Sequence, residues 1–243
     1  MSGHSKWSQI KHKKAVTDAK KGAAFSKIAR EITIAARAAG GDPDMNPHLR
    51  AALERARAVG LTKETIERAI QRAHGANEGT DLSEFVYEAT LPHGVTLIIE
   101  GITDNTNRSF AEIRHLLTTR GAKIADPGSV LWNYQKIGIL IITQEDNSGK
   151  TPDDIELAII DAGADDFIFD EMGWFTQTPF AHAETVRVAL EQAGVRVQES
   201  SHEYRATTTV IPAEMERMTT EQIINALEEH DDVQEVFSNL QKE

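Results

Sequence analysis

The stretch AIQRAHGANEGTDLSEFVYEATL, residues 69–91, decides the fold because the hydrophobic pattern changes across it. Before it, apolar residues recur at the three- and four-residue spacing of an amphipathic helix. After it, they form short runs rich in β-branched residues, which are typical of strands. The polar, glycine-containing segment 75–84 between them has the composition of a linker. The sequence therefore predicts an all-helical amino-terminal part, followed by a larger part built of strands and helices.

Three helices are expected before this linker. The first covers about 17–39 and is stopped by the segment GGDPD. Asn46 followed by Pro47 is the pattern of an N-cap with proline at the first helical position, and it opens a second helix that ends at Gly60. Thr62 is placed to cap the third. Helices of this length joined by brief turns indicate a small bundle.

Beyond the linker, FVYEATL and VTLIIEGIT are predicted to form strands around a Pro-His-Gly turn. A helix is expected over about 107–120, with Ser109 and Glu112 spaced as a capping box. The segments SVLWNYQ and GILIIT are expected to be two strands on either side of Lys136-Ile137. This part of the chain therefore alternates strands with a helix.

The order β-α-β-β-α-β is predicted for residues 137–204, and it is the pattern of a ferredoxin-like sandwich. Thr151-Pro152 opens its first helix, DDFIFD and GWFTQT form a hairpin, and Thr178-Pro179 opens its second helix. The sequence predicts that this sandwich ends in a long strand region that crosses a domain junction.

The carboxyl-terminal part begins with that strand region, VRVQESSHEYRATTTVI, whose junction is expected near 204–206. Thr219 and Gln222 are spaced as a second capping box ahead of a helix, and DDVQEVFSNL is expected to be a strand. The predicted fold class is α+β multidomain, with an amino-terminal three-helix bundle followed by two ferredoxin-like α/β domains, the third domain inserted in the second. The predicted boundaries are 1–79 for the helical domain, 80–135 with 206–243 for the second domain, and 136–205 for the inserted domain.

Charge is distributed unevenly along the chain, although the formal net charge is -12. Residues 1–75 hold 15 Lys and Arg against 7 Asp and Glu, whereas the remaining residues hold 11 against 31. The net charges are therefore +8 and -20. Such a division is typical of a basic interaction module attached to an acidic body. Because the acidic body repels polyanions, nucleic acid is expected to bind at the basic end.

The basic segment HSKWSQIKHKKAVTDAKKG at 4–22 is the main candidate for that binding. Positive side chains contact phosphates, and an aromatic side chain among them can stack on an unpaired base. A solvated tail is the alternative, but the segment continues into an amphipathic helix, which favours a binding surface. Trp7 has two open roles, stacking on a base or packing against the bundle. The predicted nucleic-acid-binding residues are Lys6, Trp7, Lys11, His12, Lys13, Lys14, Lys20, Lys21, Lys27, Arg30, Arg37 and Arg50.

Signals for catalysis are sparse. Asp104, Asn105, Asn107 and Arg108 lie between a strand and a helix, where α/β proteins often bind ligands, but turn and cap roles are favoured for them. The sequence has no phosphate-binding loop, dinucleotide-binding glycine motif, nucleophile elbow or zinc-protease motif. It has no cysteine, and its histidines are not paired at metal-ligand spacing. We therefore expect no enzymatic activity, cofactor, metal or small-molecule substrate.

The amino terminus lacks the apolar region of a secretory signal, and no apolar run approaches the length that spans a bilayer. The absence of cysteine suits a reducing compartment. These features predict a soluble cytoplasmic protein with no membrane partner.

Several long motifs resemble those of the YebC/PmpR family. They are GHSKWSQIKHKKAVTDAKKGAAFSKIAREI, GGDPDMNPHLRAALERARAVGLTKETIERAI, ITDNTNRSFAEIRHLLTTRGAKIADPGSVLWNY, DAGADDF and LEEHDDVQEVFSN, and they extend over essentially the whole chain. One stretch departs from the family pattern, since YEATLPHGV stands where members usually carry a glycine-rich YEGYGPGG. Gly94 is retained at that turn.

The resemblance implies a helical domain followed by two α/β domains, the third inserted in the second, and no catalytic activity. It implies a transcriptional regulator that binds promoter DNA, with a homodimer as one arrangement. Other members act in translation, among them the mitochondrial activator of cytochrome oxidase subunit synthesis and bacterial factors that relieve ribosomes stalled at proline runs. The sequence has no evident base-reading helix, which suits ribosomal RNA at least as well as DNA. Both targets therefore stay open.

Overall fold

The computed structural model describes residues 18–74 and 82–241, with side chains in the first range from residue 22 to residue 73. These residues form a mixed α/β structure with seven α-helices and two four-stranded antiparallel sheets. By their internal contacts, residues 136–203 make one compact unit, and 18–74, 82–135 and 204–241 make the other. None of the described helices is both long and apolar enough to cross a bilayer.

The helical bundle consists of α1 (Asp18–Ala39), α2 (Pro47–Ala58) and α3 (Lys63–His74), as the sequence predicted. The buried Asn46 side chain caps α2 by accepting from the Leu49 amide at 3.1 Å. Its amide nitrogen also donates to the carbonyls of Ala35 and Gly40 at 2.8 Å each, so one side chain fixes the α1–α2 turn. Ile32, Ala36, Leu49, Ala52 and Ala56 form the centre of the bundle core.

The first α/β layer is made of β1 (Ser83–Thr90), β2 (Thr96–Thr103), α4 (Thr106–Thr118), β3 (Lys123–Ile124), α7 (Glu214–Glu228) and β8 (Val233–Ser238). Its strand order is β3-β1-β2-β8. The central strand β2 is buried on both faces, which explains its nearly continuous apolar sequence. Leu97 and Ile99 pack with residues of α4 and α7, whereas Ile98 packs on the other face with Tyr134 and Phe237.

The second layer is made of β4 (Tyr134–Ile142), α5 (Pro152–Asp161), β5 (Asp166–Asp170), β6 (Gly173–Pro179), α6 (Ala183–Gln192) and β7 (Glu199–Ala206). Its strand order is β5-β6-β4-β7. The element order predicted for 137–204 is therefore confirmed. Leu140 and Trp174 of the sheet pack against Ile155 of α5 and Leu190 of α6 to form its core.

Two predicted capping boxes are wrong. The N-cap of α4 is Asn105, whose side chain accepts from the Arg108 amide at 3.0 Å, and Ser109 is buried one turn later. The helix predicted after Thr219 begins earlier, at Glu214, where the Glu216 carboxylate accepts from the Ala213 amide at 3.0 Å. The hydroxyl of Thr219 instead donates within the helix to the Met215 carbonyl.

Two strand predictions and one predicted helix start are also corrected. The two strands expected around Lys136 are one continuous strand, β4, preceded by a 3-10 turn at Leu131–Asn133. Pro179 ends β6 instead of opening a helix, because a 3-10 turn at Phe180–His182 precedes α6. The long strand region at 195–211 is reduced to β7 and an isolated bridge from Val210 to Leu240.

The turn between β1 and β2 is the place where the sequence departs from the family pattern. His93 and Gly94 have φ values of 63° and 76°, both in the left-handed region. Glycine adopts this conformation readily, whereas histidine adopts it at some cost. The His93 ring lies 3.1 Å from the Glu216 carboxylate at the start of α7.

Candidate nucleic-acid interface

The structure locates four of the twelve predicted nucleic-acid-binding side chains. Six of the others lie outside the described residues: Lys6, Trp7, Lys11, His12, Lys13 and Lys14. Lys20 and Lys21 are on α1, but their side chains are also outside the description. The four located side chains belong to Lys27, Arg30, Arg37 and Arg50.

Three of these four side chains bond to residues from Leu82 onward. Lys27 Nζ donates to the Glu228 carbonyl at the end of α7 at 2.6 Å. Arg30 Nη1 donates to the carboxylate of Asp232 at 2.6 Å and to the Asp231 carbonyl at 2.9 Å. Because Lys27 and Arg30 are three residues apart, they share one face of α1, and that face lies on the turn between α7 and β8.

Farther along α1, Arg37 Nη1 donates to the Leu82 carbonyl, just before β1, at 3.3 Å. Arg50, on α2, is half-buried. The cations in the second half of α1 therefore attach the bundle to the α/β layer.

The carboxylate of Asp232 is the centre of this attachment. Its side chain is only 3% exposed. One oxygen accepts from Arg30, and the other accepts from Arg108 Nη2 at 2.8 Å, from Ser109 Oγ at 2.6 Å and from Thr103 Oγ1 at 3.1 Å. Burial raises the pKa of Asp232, but these hydrogen bonds and the Arg30 charge outweigh it and lower the pKa to about 2.

A glycine lets the backbone bring Asp232 to this position. The β2–β8 pairing shifts register between Glu100 and Gly101, and the Ile102 amide donates to the Asp232 carbonyl at 2.9 Å. A Cβ added at Gly101 would lie 2.3 Å from that carbonyl oxygen and 2.1 Å from the Phe85 ring. Only glycine permits so close an approach of β8 to β2.

Asp104, Asn105 and Arg108, which the sequence places between a strand and a helix, take part in the hydrogen bonds around Asp232. Asn105 caps α4, and its own amide donates to Thr103 Oγ1 at 2.9 Å. Arg108 joins the carboxylates of Asp104 and Asp232, at 2.7 and 2.8 Å, and these hydrogen bonds raise the pKa of its guanidinium. The favoured turn and cap interpretation of Asn105 is therefore confirmed. The cluster borders an open, polar cleft of about 590 Å³.

The exposed charges of α3 are of both signs. On α3, Lys63 pairs with Glu67 at 3.7 Å and Glu64 pairs with Arg68 at 2.7 Å, and all four side chains are more than half exposed. With the exposed Arg72, α3 carries three cations and two acids, and four of these five charges are paired with each other, so the helix gives little net attraction for phosphate. The described part of α3 is therefore a poor candidate for a helix that enters the major groove.

The sequence reasoning missed Asp232 as the centre of the attachment. The sequence offers one signal for this position, because Gly101 stands in an otherwise bulky strand and can permit a close approach of another segment. The partners of Asp232 lie 123 to 202 residues away in the sequence, so no local pattern links them. Within the described residues, no group of His, Asp or Glu side chains is arranged to hold a metal ion.

Comparisons with known proteins cover nearly the whole chain. Residues 5–76 match the model of the TACO1/YebC protein N-terminal domain, and residues 82–240 match that of the TACO1/YebC second and third domain. A protein of Pelotomaculum thermopropionicum and one of Caldanaerobacter subterraneus, both named probable transcriptional regulatory protein, are 42% and 39% identical. The alignments cover all of this chain in both cases, and 100% and 99% of the relatives.

The fold is also similar to that of a solved structure. The crystal structure of a conserved hypothetical protein from Aquifex aeolicus superimposes with a TM-score of 0.85 at 34% identity. The match covers 98% of this chain and 97% of the other.

Proposed function

The chain belongs to the TACO1/YebC family, and from this premise we propose that it is a non-catalytic, nucleic-acid-binding regulator of gene expression. Its first candidate role is that of a DNA-binding transcriptional regulator, in keeping with the names of its relatives. The observation that carries the proposal is the separation of charge, +8 in residues 1–75 and -20 in the rest. Such a separation directs a polyanion to the amino-terminal part.

The contacts of α1 sharpen this proposal. Lys27 and Arg30 bond to the end of α7 and to Asp232, so they hold the basic bundle on the α/β layer. The polyanion is then bound mainly by the basic residues that precede them: Lys6, Lys11, Lys13, Lys14, Lys20 and Lys21. If these six cations contact duplex phosphates, log affinity should fall with log salt at a slope of about -5.

We expect no catalysis at the polar residues around Asp232, because their side chains are engaged in structural contacts. Asp104, Asn105 and Arg108 each have a structural partner, in a cap or in an ion pair. Side chains committed in this way stabilise a junction between elements.

A ribosome-associated translation factor is the second candidate, and the internally paired charges of α3 favour it. DNA regulators that read bases usually place a helix in the major groove, which α3 suits poorly. Structured RNA is recognised largely by shape and by phosphate contacts, which a run of lysines can provide. In this role Lys11, Lys13 and Lys14 would lie against ribosomal RNA.

We further propose three domains: a helical domain, 1–79, an α/β domain, 80–135 with 206–243, and an inserted ferredoxin-like domain, 136–205. Residues 136–203 form a separate compact unit, and the two family models divide the chain between 76 and 82, which supports two of the boundaries. The order β5-β6-β4-β7 supports the ferredoxin-like assignment of the insert.

The test compares two variants with the same change of charge. Lys11, Lys13 and Lys14 are replaced by Glu in one, and the exposed Lys63, Arg72 and Arg196 in the other. We expect the first variant to lose most of its affinity for a promoter duplex and for a ribosomal RNA fragment at 150 mM salt, and the second to lose little. Both should unfold near the wild-type temperature, because exposed charges contribute little to stability. Equal losses in the two variants would refute the proposal.

Sedimentation of a cell lysate separates the two candidates. Co-migration with ribosomes at low salt that disappears at high salt would support the translation factor. Its absence, together with a saturable shift of a promoter fragment that competitor DNA does not remove, would support the transcriptional regulator.

A further inference from the structure

Trp132 is exposed although it belongs to a turn that hydrogen bonds hold in place. Its side chain is 76% exposed, whereas Trp174, the other tryptophan among the described residues, is fully buried. Burying a side chain of this size would stabilise the protein by several kcal/mol. Its exposure on a built turn therefore indicates a role other than packing.

The turn that carries Trp132 is held by a buried acid. Glu88 of β1 is 5% exposed, and its carboxylate accepts from the amides of Gly128, Val130 and Leu131, the last two at 2.6 and 2.8 Å. A carboxylate that accepts three backbone amides fixes the path of the segment between β3 and β4.

Asn133, the residue after Trp132, is also fixed by two hydrogen bonds. Asn133 Nδ2 donates to the Thr208 carbonyl at 3.0 Å, and its Oδ1 accepts from the Thr208 amide at 2.9 Å. The indole itself is oriented by its Nε1, which donates to the Ser129 carbonyl at 2.8 Å. The ring is therefore fixed by its edge while most of its surface faces solvent. This preorganisation lowers the entropy cost of stacking.

Exposed cations lie near this turn. Lys123 of β3 pairs with Thr90 of β1, and the Ala125 amide donates to the carbonyl of Glu88. Thr90 and Glu88 are two residues apart, so Lys123 is attached about 7 Å along β1 from the acid that holds the turn. Arg120, also exposed, precedes β3 by three residues. One exposed acid, Asp126, opens the turn.

We propose that Trp132 is a stacking platform for an unpaired base, with Lys123 and Arg120 as contacts for the neighbouring phosphates. This inference rests on the proposed nucleic-acid function and adds a second contact, on the α/β layer, that selects single-stranded segments. An exposed, fixed aromatic ring combined with cations that contact the phosphates is the arrangement by which single strands are bound without regard to sequence. The exposed neighbours in the turn are Asp126, Pro127, Gly128 and Ser129, and none of them is a large apolar side chain of the kind found at the centre of a protein interface.

The test uses a fluorescein-labelled 12-nucleotide oligouridylate and an RNA duplex of the same length. Trp132→Ala should weaken oligouridylate binding by roughly 5- to 150-fold, the effect of losing one base–aromatic stack, and leave duplex binding unchanged. Trp132→Phe should stay within about threefold of wild type, because a phenyl ring still stacks. Met215→Ala removes a side chain that is 80% exposed and is the matched control, with no expected effect.

A spectroscopic readout reports the stack directly. In a Trp7→Phe background, oligouridylate should quench the emission of Trp132 and leave that of the buried Trp174 unchanged. Lys123→Glu should weaken oligouridylate binding and reduce its salt slope by about one. Thermal unfolding of each variant checks that the fold is intact. If Trp132→Ala does not fold, the affinity of Lys123→Glu for oligouridylate and the quenching of Trp132 emission test the inference in its place.

Several outcomes would overturn the inference. They are unchanged oligouridylate affinity in folded Trp132→Ala, an equal loss in Met215→Ala, or absence of quenching on binding. If the wild type binds duplex but not oligouridylate, the stacking inference fails and the proposed function stands. If it binds neither probe, the stacking inference fails, and the proposed function fails as well if the promoter duplex is not bound either. Binding of a protein from a lysate at Trp132, without oligouridylate binding, would also refute a nucleotide platform.

Discussion

Replacing Asp232 by Asn tests whether the ionised carboxylate holds the basic bundle on the α/β layer. The substitution keeps the shape of the side chain but removes the charge that faces Arg30 and Arg108. A carboxyl with a pKa of about 2 instead of the ordinary 3.8 contributes about 2 kcal/mol to stability when ionised, at about 1.4 kcal/mol per pKa unit. We therefore expect D232N to lower the free energy of unfolding at pH 7 by about 2 kcal/mol.

The pH dependence of stability offers a second way to measure this contribution. Because the pKa of Asp232 is lower in the folded state, its contribution is fully present above about pH 4 and is lost as the pH falls towards 2. The difference in unfolding free energy between wild type and D232N should shrink over that interval. Other carboxylates titrate there too, but they cancel in the difference.

The assay is urea unfolding from pH 2 to pH 7, followed by hydrogen exchange of peptides from β2 and β8, which reports on the unit that contains Asp232. Asp231→Asn is the matched control, because Asp231 is exposed and its contact with Arg30 uses the backbone carbonyl. It should change stability by less than about 0.5 kcal/mol. A difference between wild type and D232N that stays constant with pH would refute the reasoning.

Three further predictions concern other residues of the fold. Gly101→Ala should destabilise the first α/β layer by about 3 kcal/mol or more in urea unfolding, because the added methyl meets the Phe85 ring and a carbonyl, whereas Gly149→Ala, which meets nothing within 4 Å, should change little. Asn46→Ala should lower the free energy of unfolding by about 2–3 kcal/mol, because the α2 cap and the two hydrogen bonds to the carbonyls of Ala35 and Gly40 are lost. Circular dichroism melts of the variant and the wild type that coincide would contradict this expectation. Burial raises the pKa of Tyr134 and of Tyr204 to about 12, so absorbance titration should show neither side chain ionised at pH 10.5. The free energy of unfolding should fall above pH 10, because these tyrosines ionise first in the unfolded chain. Normal ionisation of both in the folded protein would contradict this.

The sequence by itself determined the helices whose ends depend on local chemistry. Asn46-Pro47 and Thr151-Pro152 open helices where predicted, since a cap and a following proline act within one turn. Ser109 had the same local appearance, but its hydroxyl bonds to Asp232, a carboxylate far away in the sequence. A capping pattern is therefore reliable only when no distant group competes for the side chain.

The features of the candidate site also divide into those that the sequence determines and those that depend on tertiary contacts. The division of charge, and with it the proposal that a polyanion binds at the amino-terminal end, follows from composition alone because net charge is a sum over residues. The sequence could not show that Lys27 and Arg30 attach the bundle, that Asp232 receives them, or that Trp132 faces solvent. Those facts depend on which backbone segments meet, and here the meeting is set by the Gly101 approach and by the Glu88 carboxylate, both of which join segments distant in the chain.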